Sequence, residues 1–329
     1  MTVLHRVPFT SPLLQGNPCG DPHERELVVL APDDVADDTP LPAVWMLPAH
    51  GSSQGGFLAN DPWREGLPER LARLWRTGAM SPARFVLPDL FTRFGGCQLL
   101  DSAATGPYER HFRDELVPLF EQRFATTAHG AAGHSSGGYG ALVQAMRRPG
   151  LFRAVACHAG DMLFDLAYQP DFPKAAAAFQ REGGVEKFLA AFLTAPKKQD
   201  GRWLSALNVL AMAACYSPRE DAPLGLELPF DPETCETRSE VWSRWLEKDP
   251  VRMVERPEAA AALSGLDLLF LDVGRRDEWN LQWGARAFVR RLRERGIGHV
   301  YEEFDDGHTG TSYRFDRSLP LVVAALAGR

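Results

Sequence analysis

Two adjacent serines stand among glycines in GHSSGGYG, Gly133–Gly140, with a histidine directly before them. A serine hydroxyl is a weak nucleophile unless a base takes its proton. The pattern G-x-S-x-G places such a serine on a tight strand-to-helix turn, which closes only if the flanking residues are tiny. The helix that follows points its positive end at the site, and its first free N–H can hold a developing oxyanion. Gly133 and Gly137 bracket Ser135 at this spacing, whereas two residues before Ser136 stands His134, so Ser135 is the candidate nucleophile. The pattern alone is weak, because Gly51-Ser52-Ser53-Gln54-Gly55 matches it too. Context separates them: Ser135 opens a run of helix formers, and Ser53 is followed by GGFLANDPW, which cannot start a helix promptly. HGSS suits another role. It closes an early strand, where the backbone N–H of Ser52 can donate to an oxyanion.

The serine needs a base, and the base needs a carboxylate to orient it. With a G-x-S-x-G elbow the chain order is serine, acid, histidine. His308 lies in DDGHTG, just past the strand HVYEEF, where a base belongs; His299 begins that strand and falls at the opposite sheet edge. DVGRRDEWN offers Asp272, Asp277 and Glu278. Asp272 sits within a strand and reads as structural, whereas Asp277 falls in the loop just past its end. His134 and His158 precede any such acid and read as pocket walls. Tyr139 and Trp279, beside the serine and the acid, read as substrate contacts.

Strands alternate with helices around these residues. Glu26–Pro32, Ala43–Gly51, Ala83–Leu90, Phe152–Asp161, Leu266–Gly274 and His299–Phe304 read as strands. Arg64–Gly78, Tyr108–Phe124, Tyr139–Arg148, Ala285–Gly296 and Ser318–Leu326 read as helices. That order predicts an α/β fold with a mostly parallel central sheet flanked by helices. The approach to the serines, AHGAAG, is a poor strand by propensity. Residues 162–255 hold no convincing strand and read as a helical, cap-like insertion within a single domain of residues 1–329. Its Trp203, Trp242 and Trp245 are either lid residues or, at helical spacing, core.

The 329 residues are 45% hydrophobic and 24% charged, ordinary values for a globular chain. A net charge of −7 argues against a nucleic-acid partner. No apolar run approaches the ~18 residues of a membrane span, and no signal peptide is legible. Five widely spaced cysteines without a CxxC read as free thiols in a reducing, cytoplasmic setting. HExxH, a P-loop lysine and a GxGxxG after a strand are all missing, so no cofactor or metal is expected.

The runs PYERHFRDELVPLFEQRF, GHSSGGYGALVQAMRRPGLFRAVACHAGD, FLDVGRRDEWN and EEFDDGHTGTSYR together resemble the putative-esterase family of α/β-hydrolases, over most of residues 26–161 and 262–327. That family includes enterochelin esterases, S-formylglutathione hydrolases, some feruloyl and acetyl esterases, and mycolyl transferases. The resemblance implies an α/β-hydrolase fold, Ser135 as nucleophile, Asp277 as acid, His308 as base, and an oxyanion hole from the backbone N–H groups of Ser52 and Ser136. It implies a serine carboxylesterase acting on a small-to-medium acyl ester. Acyl transfer by the same residues, and a non-catalytic binding role, are the alternatives.

Overall fold

The computed structural model describes residues 1–198 and 201–328. Ten strands are β1 (Thr2–Thr10), β2 (Glu24–Pro32), β3 (Leu41–Leu47), β4 (Arg84–Leu87), β5 (Asp101–Ser102), β6 (Gly106–Pro107), β7 (Thr126–His134), β8 (Ala154–His158), β9 (Leu268–Gly274) and β10 (Val300–Phe304). Eight of them form one sheet in the order β1-β2-β4-β3-β7-β8-β9-β10, and β5 with β6 forms a small ribbon. Pairing from β4 to β10 is parallel throughout; β2 lies antiparallel to β4, and β1 antiparallel to β2.

The inner strands are apolar without alternation because both faces are covered. In β3, Trp45 and Leu47 enter one hydrophobic cluster while Val44 and Met46 enter the other. Helices Leu67–Arg76 and Phe315–Ala327 cover the second face; Ser136–Arg147 and Leu281–Glu294 cover the first.

Four elements depart from the sequence reading. The stretch after Ser53 does start a helix at once: Gln54–Phe57 is a single turn, and the Ser53 hydroxyl caps it by accepting from the Gly55 N–H at 3.2 Å. AHGAAG is the heart of β7, the sheet's central strand, although glycine and alanine are weak strand formers. Close packing explains it: a Cβ on Gly130 would stand 2.9 Å from Leu326 Cδ1 and 3.0 Å from the Ala154 carbonyl oxygen. Thr2–Thr10, broken by Pro8, is the edge strand β1, and edges tolerate proline. The Tyr108–Phe124 helix contains a π-helical segment, His111–Leu116, ahead of Val117–Arg123; it lies just before Pro118, which cannot donate to the helix.

Between β8 and β9 the described chain is helical, including Phe172–Glu182, Val185–Thr194, Gly201–Tyr216 and Ser239–Leu246. Gln199 and Asp200 of that segment lie outside the described residues. Trp245, Trp242 and Trp203 are buried there, so they are core. Trp245 packs edge-on against Tyr216 at 5.3 Å between ring centroids, and Trp203 against Phe188 at 5.5 Å. Asp249 pins the start of the segment, accepting from the N–H groups of Leu163 at 3.0 Å and Phe164 at 3.1 Å.

Candidate active site

The elbow follows from β7. Its last residue is His134, and the helix Ser136–Arg147 begins two residues later. Ser135 between them has φ +56° and ψ −125°, a strained conformation for a residue with a side chain. The glycines are steric necessities. A Cβ on Gly133 would stand inside 3.0 Å of the Gly137 backbone, and one on Gly137 inside 3.0 Å of the Leu47 carbonyl oxygen. The Ser135 N–H donates to the His158 carbonyl at 2.8 Å, which fastens the turn to β8.

The loops that carry Asp277 and His308 leave the same end of the sheet, after β9 and β10. His308 Nδ1 and Asp277 Oδ2 lie 2.7 Å apart, both buried. Asp277 Oδ1 accepts from the Trp279 N–H at 2.9 Å. Glu278 Oε2 accepts from the His308 backbone N–H at 2.7 Å, and the Arg276 N–H donates to the Asp306 carbonyl at 3.0 Å. The two loops are therefore stitched together, and the imidazole is held from its ring and its main chain. Ser135 and His308 face one cavity of about 480 Å³, without a hydrogen bond between their side chains among the described residues.

Ser136 opens its helix, so its N–H has no intrahelical acceptor. Ser52 lines the same cavity, but its N–H donates to the Ala49 carbonyl at 3.0 Å. The expected pair of oxyanion donors is thus half open here, because the loop after β3 closes on itself as a turn. His134 lies beside the base, with ring centroids 4.5 Å apart. Burial first, then the nearby His308 charge, pushes its pKa down to about 3, so the ring stays neutral.

Among known proteins, the model of the family described as Putative esterase matches residues 102–323. The chain belongs to this family. No curated protein matches it by sequence. Among solved structures it is similar to a ferulic acid esterase, at 17% identity and TM-score 0.61 over 99% of both chains. It is similar to an S-formylglutathione hydrolase from Agrobacterium tumefaciens, at 17% identity and TM-score 0.59 over 99% of this chain and 96% of that one. A fluorophosphonate-binding serine hydrolase of Staphylococcus aureus follows at 12% identity and TM-score 0.59, over 99% and 98%. At these identities the likeness is one of fold, the α/β-hydrolase fold with its mostly parallel sheet.

The esterase contains a second array of serine, histidine and carboxylate. His158 Nδ1 lies 2.6 Å from Asp272 Oδ1, and its Nε2 lies 2.8 Å from Ser318 Oγ. Ser318 is wholly buried within a helix, and the Arg314 guanidinium holds the other Asp272 oxygen at 2.8 Å. This array fastens the C-terminal helix to the sheet, and its serine is sealed from solvent. The three carboxylates of DVGRRDEWN thus take three jobs: Asp272 braces His158, Asp277 meets the His308 ring, and Glu278 holds the His308 main chain. The last was not legible, since a side-chain bond to a backbone N–H leaves no spacing signal.

Trp279 lines the cavity, its ring 6.4 Å from that of His308, and His134 lines it too. Tyr139 does not. It is fully buried and its hydroxyl donates to the Lys248 carbonyl at 3.0 Å, because its position on the helix turns it away from the site, toward the 162–255 segment. Asp161, which no catalytic spacing singles out, lines the cavity beside Ser136. Among the described residues no group of three His, Cys, Asp or Glu could hold a metal ion, and no helix is long and apolar enough to cross a membrane.

Proposed function

We propose that the esterase is a serine carboxylesterase that hydrolyses a small-to-medium acyl ester through an acyl-enzyme. The observation that carries this is the convergence on one cavity of a strained Ser135 and a His308 already bonded to Asp277. Ser135 Oγ attacks the ester carbonyl while His308 Nε2 takes its proton. Asp277 holds the ring with Nε2 toward the serine and stabilises the imidazolium that forms. The carbonyl oxygen becomes an oxyanion held by the Ser136 N–H, with the Ser52 N–H joining once it shares or leaves the Ala49 carbonyl. His308 returns the proton to the departing alcohol. Water, deprotonated by His308, then releases the acid and restores Ser135. Residues 162–255 act as a cap within a single domain of residues 1–329: Tyr168, Leu204 and Asn208 from it line the cavity. The free cysteines fit a cytoplasmic setting.

Labelling with a fluorophosphonate, followed by peptide mapping, tests the reading. A single adduct on Ser135, abolished in Ser135→Ala, is expected. An adduct on Ser53, or none on folded protein, would refute it.

A further inference from the structure

The cavity wall beside the nucleophile carries a carboxylate that the mechanism does not use. Asp161 is 6% exposed and lies on the loop that leaves β8. Its Oδ2 accepts from the Ser136 hydroxyl at 3.1 Å and from Gln98 Nε2 at 3.1 Å, and the Tyr168 hydroxyl stands beside it. Among the described residues no lysine or arginine pairs with it. Arg64, which also lines the cavity, is bonded to Asp61 at 2.8 Å on the exposed rim. His50 faces Asp161 but is held toward neutrality by burial, with its Nε2 on the Phe94 carbonyl at 2.9 Å.

Such an arrangement is costly in the free enzyme. A buried carboxylate without a cation loses hydration and gains only neutral hydrogen bonds. Burial indeed pushes the Asp161 pKa up from the ordinary carboxylate range. The same negative charge sits against the side chain of Ser136, the residue whose N–H would hold the oxyanion, and there it opposes an oxyanion. The backbone around it is strained as well: Gln98, Leu99, Ala159 and Leu163 all have positive φ. Strain of this kind is kept where a side chain must be held in a set place.

A ligand cation would remove both costs. We propose that Asp161 is a specificity-determining residue that receives a cationic nitrogen of the substrate, so that the natural substrates are esters carrying an ammonium group. This rests on the ester-hydrolase reading above. The alkyl part of such a substrate would meet Leu204 and Ala167 on the cap side of the cavity.

The test uses two isosteric pairs of esters on the intact protein. Nitrophenyl β-alaninate and nitrophenyl butyrate place or omit the charge in the acyl part. Butyrylcholine and neohexyl butyrate do so in the alcohol part. In one pair the ratio of charged to neutral kcat/KM is expected to fall at least about tenfold from wild type to Asp161→Asn, which also cancels intrinsic reactivity. In parallel, n-propylammonium should inhibit the wild-type enzyme at lower concentration than n-propanol, a readout that needs no variant to fold. Unchanged ratios in both pairs, or inhibition no better by the amine than by the alcohol, would overturn the assignment of Asp161 while leaving the esterase reading intact. Turnover of none of the four esters by wild type would overturn both.

Discussion

Two aspartates, five residues apart, separate chemistry from architecture. Asp277 meets His308 behind the cavity wall; Asp272 meets His158 and Arg314 in the core. Asp277→Asn keeps the size of the side chain but offers the imidazole the wrong hydrogen-bond partner. In serine hydrolases this misplaces the tautomer and lowers kcat by about 10⁴-fold, near 5 kcal/mol of transition-state stabilisation. Its backbone bond from Trp279 survives, so the thermal midpoint should barely move. Asp272→Asn does the reverse. Removing one partner of a buried charge pair costs about 3–5 kcal/mol. Arg314 keeps Glu302 at 2.5 Å, so the lower end, about 3 kcal/mol, applies. For a chain of this length that is a fall of about 4 °C in the midpoint. Nitrophenyl butyrate turnover per active site, with thermal unfolding followed on the same samples, measures both. Loss of activity in Asp272→Asn with retention in Asp277→Asn would refute the assignment of the acid.

Other expectations follow from the same geometry. Glu278→Ala should lower kcat by about 10–100-fold by freeing the His308 main chain, with Glu278→Gln restoring most of it, because Gln keeps an acceptor. Gly137→Ala should abolish fluorophosphonate labelling and reduce the soluble yield, since its Cβ meets the backbone of Leu47, which cannot swing away. The neutral His134 makes stability depend on pH. Its folded pKa of about 3 lies below the ordinary histidine value, so the unfolded chain binds the extra proton, and stability is full above about 6.5 and drains as pH falls toward about 3. This one group contributes a slope of at most about 1.4 kcal/mol per pH unit, and thermal midpoints of His134→Gln should fall less steeply across that window.

The candidate site residues are legible where a backbone requirement dictates residue type. Ser135 is readable because its turn excludes any side chain at Gly133 and Gly137. Asp277 and His308 are readable because each lies in a loop just past a strand. What a side chain touches is less legible. Tyr139 sits four residues from Ser135, and only the fold shows that it points away from the cavity. The weakness of AHGAAG as a strand reflects propensity measured on open surfaces, whereas β7 lies under a helix so close that larger side chains would not fit. The surroundings of Asp161 are not legible because a lone carboxylate after a strand has no pattern; its neighbours come from Gln98 and Tyr168, far apart in the chain. The loop after β3 was readable as a place for Ser52, but not its present bond to Ala49.

The elbow and its base arise from strands that are distant in sequence, and this has a meaning for synthesis. A ribosome delivers Ser135 well before His308; at 5–20 residues per second the interval is about 9–35 s. During that time β3, β4 and β7 can already pair, and the turn around Ser135 can form. The hydroxyl then has no base, and a serine without one is a feeble nucleophile. On the proposed mechanism the nascent chain is therefore chemically silent toward the esters around it, and it gains activity only when β9 and β10 dock and bring Asp277 and His308 to the rim of the sheet.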